Sequence, residues 1–249
     1  MKLKLLITYI LCLLKLTASA NIVQATHIDT LDELTLKGFT NYDIYSINTE
    51  HLTSLLRNKK FNNKLVLDFD GQFYWTCNVY ETNLFTTKNT CTIAQQNGKK
   101  TLVLPNLYTY TGNLKNEKNN SLIKLTVSNN YLVSFIIDNN TTYIIQPLQD
   151  FDKQAHKDHY IVYEKNNIIN QNLAPCTYGN HLKKELPKKI NNLKKTDTCR
   201  TVKLALAADF SMLQEKGSID RLYKHLVSIV QAVQINYQLL DIDFLISAI

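Results

Sequence analysis

Val202-Lys203-Leu204-Ala205-Leu206-Ala207 alternates in part between apolar and polar side chains and reads as a β-strand. A turn around Gly217 and Ser218 follows. From there Ile219, Leu222, Tyr223, Leu226, Ile229, Val230, Val233, Tyr237 and Leu240 recur at steps of three and four, which predicts a long amphipathic helix. Ser218 can cap its N-terminus, and Asp220 suits the positive end of the helix dipole. Phe244-Leu245-Ile246 starts another apolar strand. Strand, helix and strand in this order have the shape of a right-handed parallel crossover. One such unit cannot cover both faces of its strands, and a piece of about fifty residues needs more sheet to be stable. It is expected either to dock on the preceding region or to be the front part of a longer protein.

Working back from this ending, residues 166–198 lose periodicity. They are rich in Asn and Lys, contain Pro175 and Pro187, and read as a linker. Residues from about 63 to 165 have a β texture. Leu65 to Asp70 and Gln72 to Tyr80 are two runs parted near Gly71, and Thr101 to Leu104 follows the tight-turn dipeptide Asn97-Gly98. Leu122 to Val127, Tyr131 to Ile137, Thr142 to Ile145 and His159 to Tyr163 continue the series, punctuated by Asn and Asp. Short strands at regular spacing predict an antiparallel sandwich or barrel. Ahead of them, Tyr42 to Ile47 reads as a strand. Asn48 and Thr49 offer N-cap oxygens for a helix carrying Leu52, Leu55 and Leu56. The expected class is α+β: a β-rich domain over 21–165, a basic linker over 166–198, and a partial α/β (β-α-β) segment over 199–249.

Residues 1–20 are set apart from the fold. Met1-Lys2-Leu3-Lys4 is a basic start, Leu5 to Leu14 an apolar run, and Ala18-Ser19-Ala20 a small-residue cleavage site. This is a secretory signal pattern, with an N-terminal anchor as its alternative. A secreted, extracellular chain beginning at Asn21 is expected, with no membrane span after signal removal. Losing Lys2, Lys4 and Lys15 lowers the formal charge from +7 to +4. Much of the rest is the cluster Lys183, Lys184, Lys188, Lys189, Lys194 and Lys195, so a nucleic-acid surface is not expected. Lys194 and Lys195 are a candidate processing pair. Composition, at 45% hydrophobic and 20% charged, is that of a globular protein and excludes a collagen-like or wholly disordered chain.

An exported chain meets an oxidising route, and Cys77, Cys91, Cys176 and Cys199 are an even set there. Four cysteines allow three pairings. Cys77–Cys91 is a candidate local staple, and Cys176–Cys199 would bracket the linker.

Tyr110-Thr111-Gly112, Ser121 to Leu125, Tyr131 to Ile136 and Tyr143-Ile144-Ile145-Gln146-Pro147-Leu148 together resemble the propeptide domain of the reprolysin (adamalysin, ADAM-type) zinc metalloproteases. Cys199 to Ser211, and the helix from Ser218 through Val233-Gln234-Ile235-Asn236-Tyr237, are similar to the opening strand and first long helix of the catalytic domain in that family. The resemblance spans most of residues 65–249. It implies a zymogen whose β domain inhibits a protease body and assists its folding, in cis or in trans, with protein or peptide substrates for the full-length enzyme. It also offers Cys176, in Ala174-Pro175-Cys176-Thr177-Tyr178-Gly179, as a thiolate held on the catalytic zinc, although glycine does not directly follow the cysteine. That role excludes the Cys176–Cys199 bridge.

The family's chemistry needs H-E-x-x-H, two imidazoles on one helical face with a carboxylate beside the bound water. No such motif occurs among the 249 residues, so no catalytic residue is assigned. Zinc is expected only where a downstream catalytic region accompanies the chain. His156 and His159 are the only close histidine pair and read as surface residues. Asp68 and Asp70 share one side of a strand-like run and read as a solvated face. The different-class alternative is a secreted β-sandwich binding or adhesion module without enzymatic activity.

Overall fold

The computed structural model describes residues 21–29, 36–58, 61–86, 90–95, 97–115, 121–169, 200–238 and 241–249. Residues 1–20, expected as a signal peptide, and 170–199, with most of the expected linker and Cys176, Lys194, Lys195 and Cys199, lie outside the described residues.

Nine strands close into a barrel in the order β1-β2-β11-β10-β9-β8-β7-β4-β3. They are β1 (Ile22–His27), β2 (Asp43–Ile47), β3 (Lys64–Phe69), β4 (Phe73–Thr82), β7 (Tyr108–Leu114), β8 (Leu122–Ser128), β9 (Tyr131–Asp138), β10 (Thr141–Pro147) and β11 (His159–Glu164). The neighbours run antiparallel except at closure, where β1 lies parallel to β3 with Val23 opposite Leu67 and Ala25 opposite Phe69. Closure leaves the barrel without a free edge. Alternation decides what fills it: Trp75, Cys77 and Val79 of β4 point inward, while Tyr74 and Tyr80 face water. Helix α1 (Thr49–Arg57) adds Leu52 and Leu56 to the same core. The Asn48 side chain caps it, accepting the His51 amide at 2.8 Å.

Two pieces lie outside the barrel wall. One is the hairpin of β5 (Thr90–Gln95) and β6 (Gly98–Val103), turned at Asn97-Gly98, where Gly98 takes φ of 126°. The other is the closing segment. It comprises β12 (Arg200–Ala205), α2 (Phe210–Lys216), α3 (Ile219–Gln238) and β13 (Ile242–Ala248). Helix α2 was not expected from the sequence and precedes the turn read at Gly217 and Ser218. Asp209 caps it, accepting the Met212 amide at 2.9 Å, and Gly217 ends it in the left-handed region. Strands β12 and β13 pair parallel. The inner edge of β13 meets the chain at 84–86, where the Ile246 amide donates to the Leu84 carbonyl at 2.5 Å. Among the described residues β12 has no second neighbour, and only Leu204 of its six residues is even half-buried.

The expected α+β class with a β-α-β metalloprotease segment is corrected by this architecture. The described residues are largely β, 50% strand and 23% helix, organised around a closed nine-stranded barrel. The physical reason is closure: the strands of 22–164 satisfy one another around a ring and leave no open sheet for an α/β layer to extend. The closing segment docks on the outside of that ring. Its Tyr223, Val227, Val230, Phe244 and Ile246 gather with Leu84, Cys91, Leu104, Tyr131 and Val133 in a cluster separate from the barrel core.

Candidate functional site: the seam between barrel and closing segment

Strand β8 reads Leu122-Ile123-Lys124-Leu125-Thr126-Val127-Ser128, with apolar and polar residues alternating. Ile123, Leu125 and Val127 fill the barrel. Lys124, Thr126 and Ser128 fall on the outer wall by the two-residue period of a strand, yet all three are buried. Helix α3, which packs against β8 and β9, lies over this wall. It contributes a polar stripe at helical spacing: Asp220, Lys224, Ser228, Gln231 and Gln234.

The contacts along the seam are polar. Lys224, 4% exposed, donates to Asp220 Oδ2 and to Asn130 Oδ1, both at 2.7 Å. The Ser228 and Tyr131 hydroxyls share a hydrogen bond of 3.1 Å. Lys124, 2% exposed, donates to Gln234 Oε1 at 3.2 Å and lies 3.4 Å from Thr111 Oγ1. Burial lowers the Lys124 pKa to about 8, and the negative charge of Asp243 on β13 opposes the fall. At one end Arg221 faces Asp150 at 3.5 Å. Among the described residues, Asp220 Oδ1 and both amide atoms of Gln231 find no partner in the seam.

An unpaired buried amide costs stability, because water is removed and nothing replaces it. Gln231→Leu is therefore expected to raise stability by about 1–2 kcal/mol. Urea unfolding of the variant beside the parent checks this. Lower stability in the variant would mean that the amide is held by a partner such as an ordered water.

The residues singled out from sequence fall elsewhere. The Cys77–Cys91 staple is not formed; among the described residues both are buried free thiols. Cys77 belongs to the barrel core and Cys91 to the outer cluster, so the barrel wall separates their environments. Burial pushes the Cys77 thiol up to about 12, with Asp138 adding to the rise. The His156 and His159 rings are 5.1 Å apart, and among the described residues no three His, Cys, Asp or Glu side chains form a metal-binding group. Asp68 Oδ1 accepts the Gly71 amide at 3.0 Å and serves the turn before β4. No described helix is long and apolar enough to cross a membrane. The seam was missed because only the apolar stripe of α3 was read from the sequence, and its polar positions were assigned no partner. The signal present in sequence was their own three- and four-residue recurrence beside an equally polar strand face.

Compared with known proteins, the chain matches no family model and no curated sequence at a significant level.

Proposed function

We propose that this chain is an exported zymogen-type precursor in which the barrel is the inhibitory and folding-assisting module of a protease body. The closing segment is the part of that body the barrel holds. The observation that carries the reading is the character of the seam. Both surfaces, the outer face of β8 and the stripe of α3, are polar enough to stand in water once parted. A contact meant to be permanent would favour the apolar pairing found inside the barrel. Among the described residues β12 has no second neighbour, which supports the same view, since a two-stranded parallel sheet covered on one face is an incomplete layer. Hydrolysis is assigned to none of these residues. Zinc belongs with an H-E-x-x-H that this sequence does not contain, and protein or peptide substrates would belong to the body that carries it.

The second reading, a secreted binding module, is favoured by the apolar cluster in which Tyr131 and Val133 of the barrel meet Tyr223 and Val227 of α3. Nicking the linker separates the two. The chain is cut by a trypsin-like protease at the Lys194-Lys195 region and then unfolded in urea while strand and helix signals are followed. The zymogen reading expects the closing segment to leave first, with the barrel still folded. A nicked chain that melts in one step, both parts together, would overturn it.

A further inference from the structure

Strand β4 ends at Thr82 and β7 begins at Tyr108, yet the two are antiparallel neighbours in the barrel, with Thr82 opposite Thr109. The Thr109 hydroxyl donates to the Thr82 carbonyl at 2.6 Å, which ties the strand ends together. A connection of about two to five residues closes a hairpin in this register. The chain places residues 83–107 there instead, in an excursion that carries the β5–β6 hairpin. Among the described residues the excursion adds nothing to the barrel core. Its buried apolar side chains, Leu84, Cys91, Leu104 and Leu107, all fall in the outer cluster with Tyr223, Phe244 and Ile246. Its first residues run parallel to β13. The Ile246 amide donates to the Leu84 carbonyl, the Thr86 amide to the Ile246 carbonyl at 3.1 Å, and the Thr92 amide to the Ile249 carbonyl at 2.8 Å. A closed barrel has no edge of its own at which to add a strand. The excursion supplies one.

We propose that residues 83–107 are a recognition arm, with which the barrel captures the closing segment by strand addition at the edge of β13. The partner it fits is a strand–helix layer that offers one open parallel edge and one apolar side. Leu84 to Thr86 supply the extended backbone. Main-chain hydrogen bonds of this kind give affinity, and the side chains between them give specificity. Leu84 is 2% exposed in the shared cluster, and the Phe85 ring lies 6.1 Å from that of Tyr223. The apolar share of the contact thus falls on the arm and on Tyr131 and Val133 of β9, while the wall of β8 beneath α3 is polar. The inference rests on the zymogen reading for the identity of what is held, and adds which part of the barrel module holds it.

The test uses the full, uncut chain with residues 83–107 replaced by Gly-Asn-Gly-Ser, which with Tyr108 forms a short hairpin loop between Thr82 and Thr109. Trp75, the single tryptophan, lies in the barrel core, so its fluorescence during urea unfolding reports the barrel. Amide hydrogen exchange of peptides from 219–238 and 242–248, read by mass spectrometry, reports the closing segment. The expected result is an unchanged Trp75 midpoint with the protection of the closing segment lost. Leu84→Ala, a smaller change, should speed exchange in 219–238 by about thirtyfold and leave the Trp75 midpoint in place. A closing segment as protected as in the parent would overturn the proposal. So would a Trp75 midpoint that falls in Leu84→Ala, because the arm would then belong to the barrel's own stability. Should the replacement fail to fold, Leu84→Ala decides alone. Retained protection would defeat the arm and leave the zymogen reading standing, since that reading is judged on the nicked chain.

Discussion

Gly112→Ala is expected to cost the barrel about 3 kcal/mol or more, one of the largest losses a single methyl group can cause in this molecule. Gly112 sits on β7 opposite Val79 of β4. A Cβ added there would overlap the Asn78 carbonyl oxygen and stand 2.7 Å from the Asn78 carbonyl carbon and 2.8 Å from the Val79 Cα. All three are backbone atoms, so no side-chain rotation relieves the clash, and the two strands must part. Strand separation breaks the ring that makes the barrel edgeless. At the scale of a domain this size, the melting temperature should fall by about 6–12 °C. A thermal melt followed by far-ultraviolet circular dichroism checks it. A variant melting within a degree or two of the parent would show that β4 and β7 can separate without cost. The same glycine closes the Tyr110-Thr111-Gly112 motif, so a residue met first as part of a family pattern has a steric reason to be glycine.

Raising the pH from about 8 towards 10 is expected to tighten the grip of the barrel on α3. The sign follows from Lys124. Docked, its pKa is lowered to about 8, whereas bared on the barrel wall it returns to the ordinary 10.5. Between those values the undocked form keeps a proton that the docked form has shed. Docking therefore gains free energy as pH rises through this window, up to about 3 kcal/mol across it. Below about 8 both forms hold the proton, and docking stays at its weaker level. Above about 10 the gain is opposed by Tyr131 and Tyr223. Burial raises the pKa of both hydroxyls, so leaving the seam lets them ionise. The strongest docking is thus expected near pH 10. Lys124→Met should bring the neutral-pH value up to the alkaline one and flatten the slope. Urea unfolding of the closing segment at a series of pH values, in parent and variant, measures both effects. A parent whose docking weakens between pH 8 and 10 would contradict the assignment of Lys124 as the buried charge that governs the seam.

For the proposed function, the second expectation has a direct consequence. A contact held through a charged, desolvated lysine is weakest at and below neutral pH, where the lysine must be buried with its proton. Release of the closing segment by linker cleavage should then be easier at pH 7 than at pH 9. The rise between pH 8 and 10 then comes from Lys124 on the barrel wall.

Most of the elements were legible in the sequence because each rests on a local period, whereas β1, β5, β7 and the short helix α2 were not read from it. The two-residue alternation of β4 and β8, the Asn97-Gly98 turn, the Asn48 cap and the three-and-four stripe of α3 all need only neighbours within a few positions. Short-range chemistry also separated the strand-rich region from the closing strand–helix–strand. What sequence could not decide was which strands meet across long separations. The parallel pairing of β1 with β3, which closes the barrel and overturns the α+β expectation, joins segments more than forty residues apart and has no local mark. The covering of Lys124, Thr126 and Ser128 by α3 was hidden for a related reason. A polar strand face reads as solvated whether water or another polar surface lies upon it, and only the packing of a helix about a hundred residues later makes the difference. Cys77 and Cys91 were paired on nearness along the chain, yet Cys77 points into the barrel from β4 while Cys91 lies on the hairpin outside it, in the cluster under the closing segment.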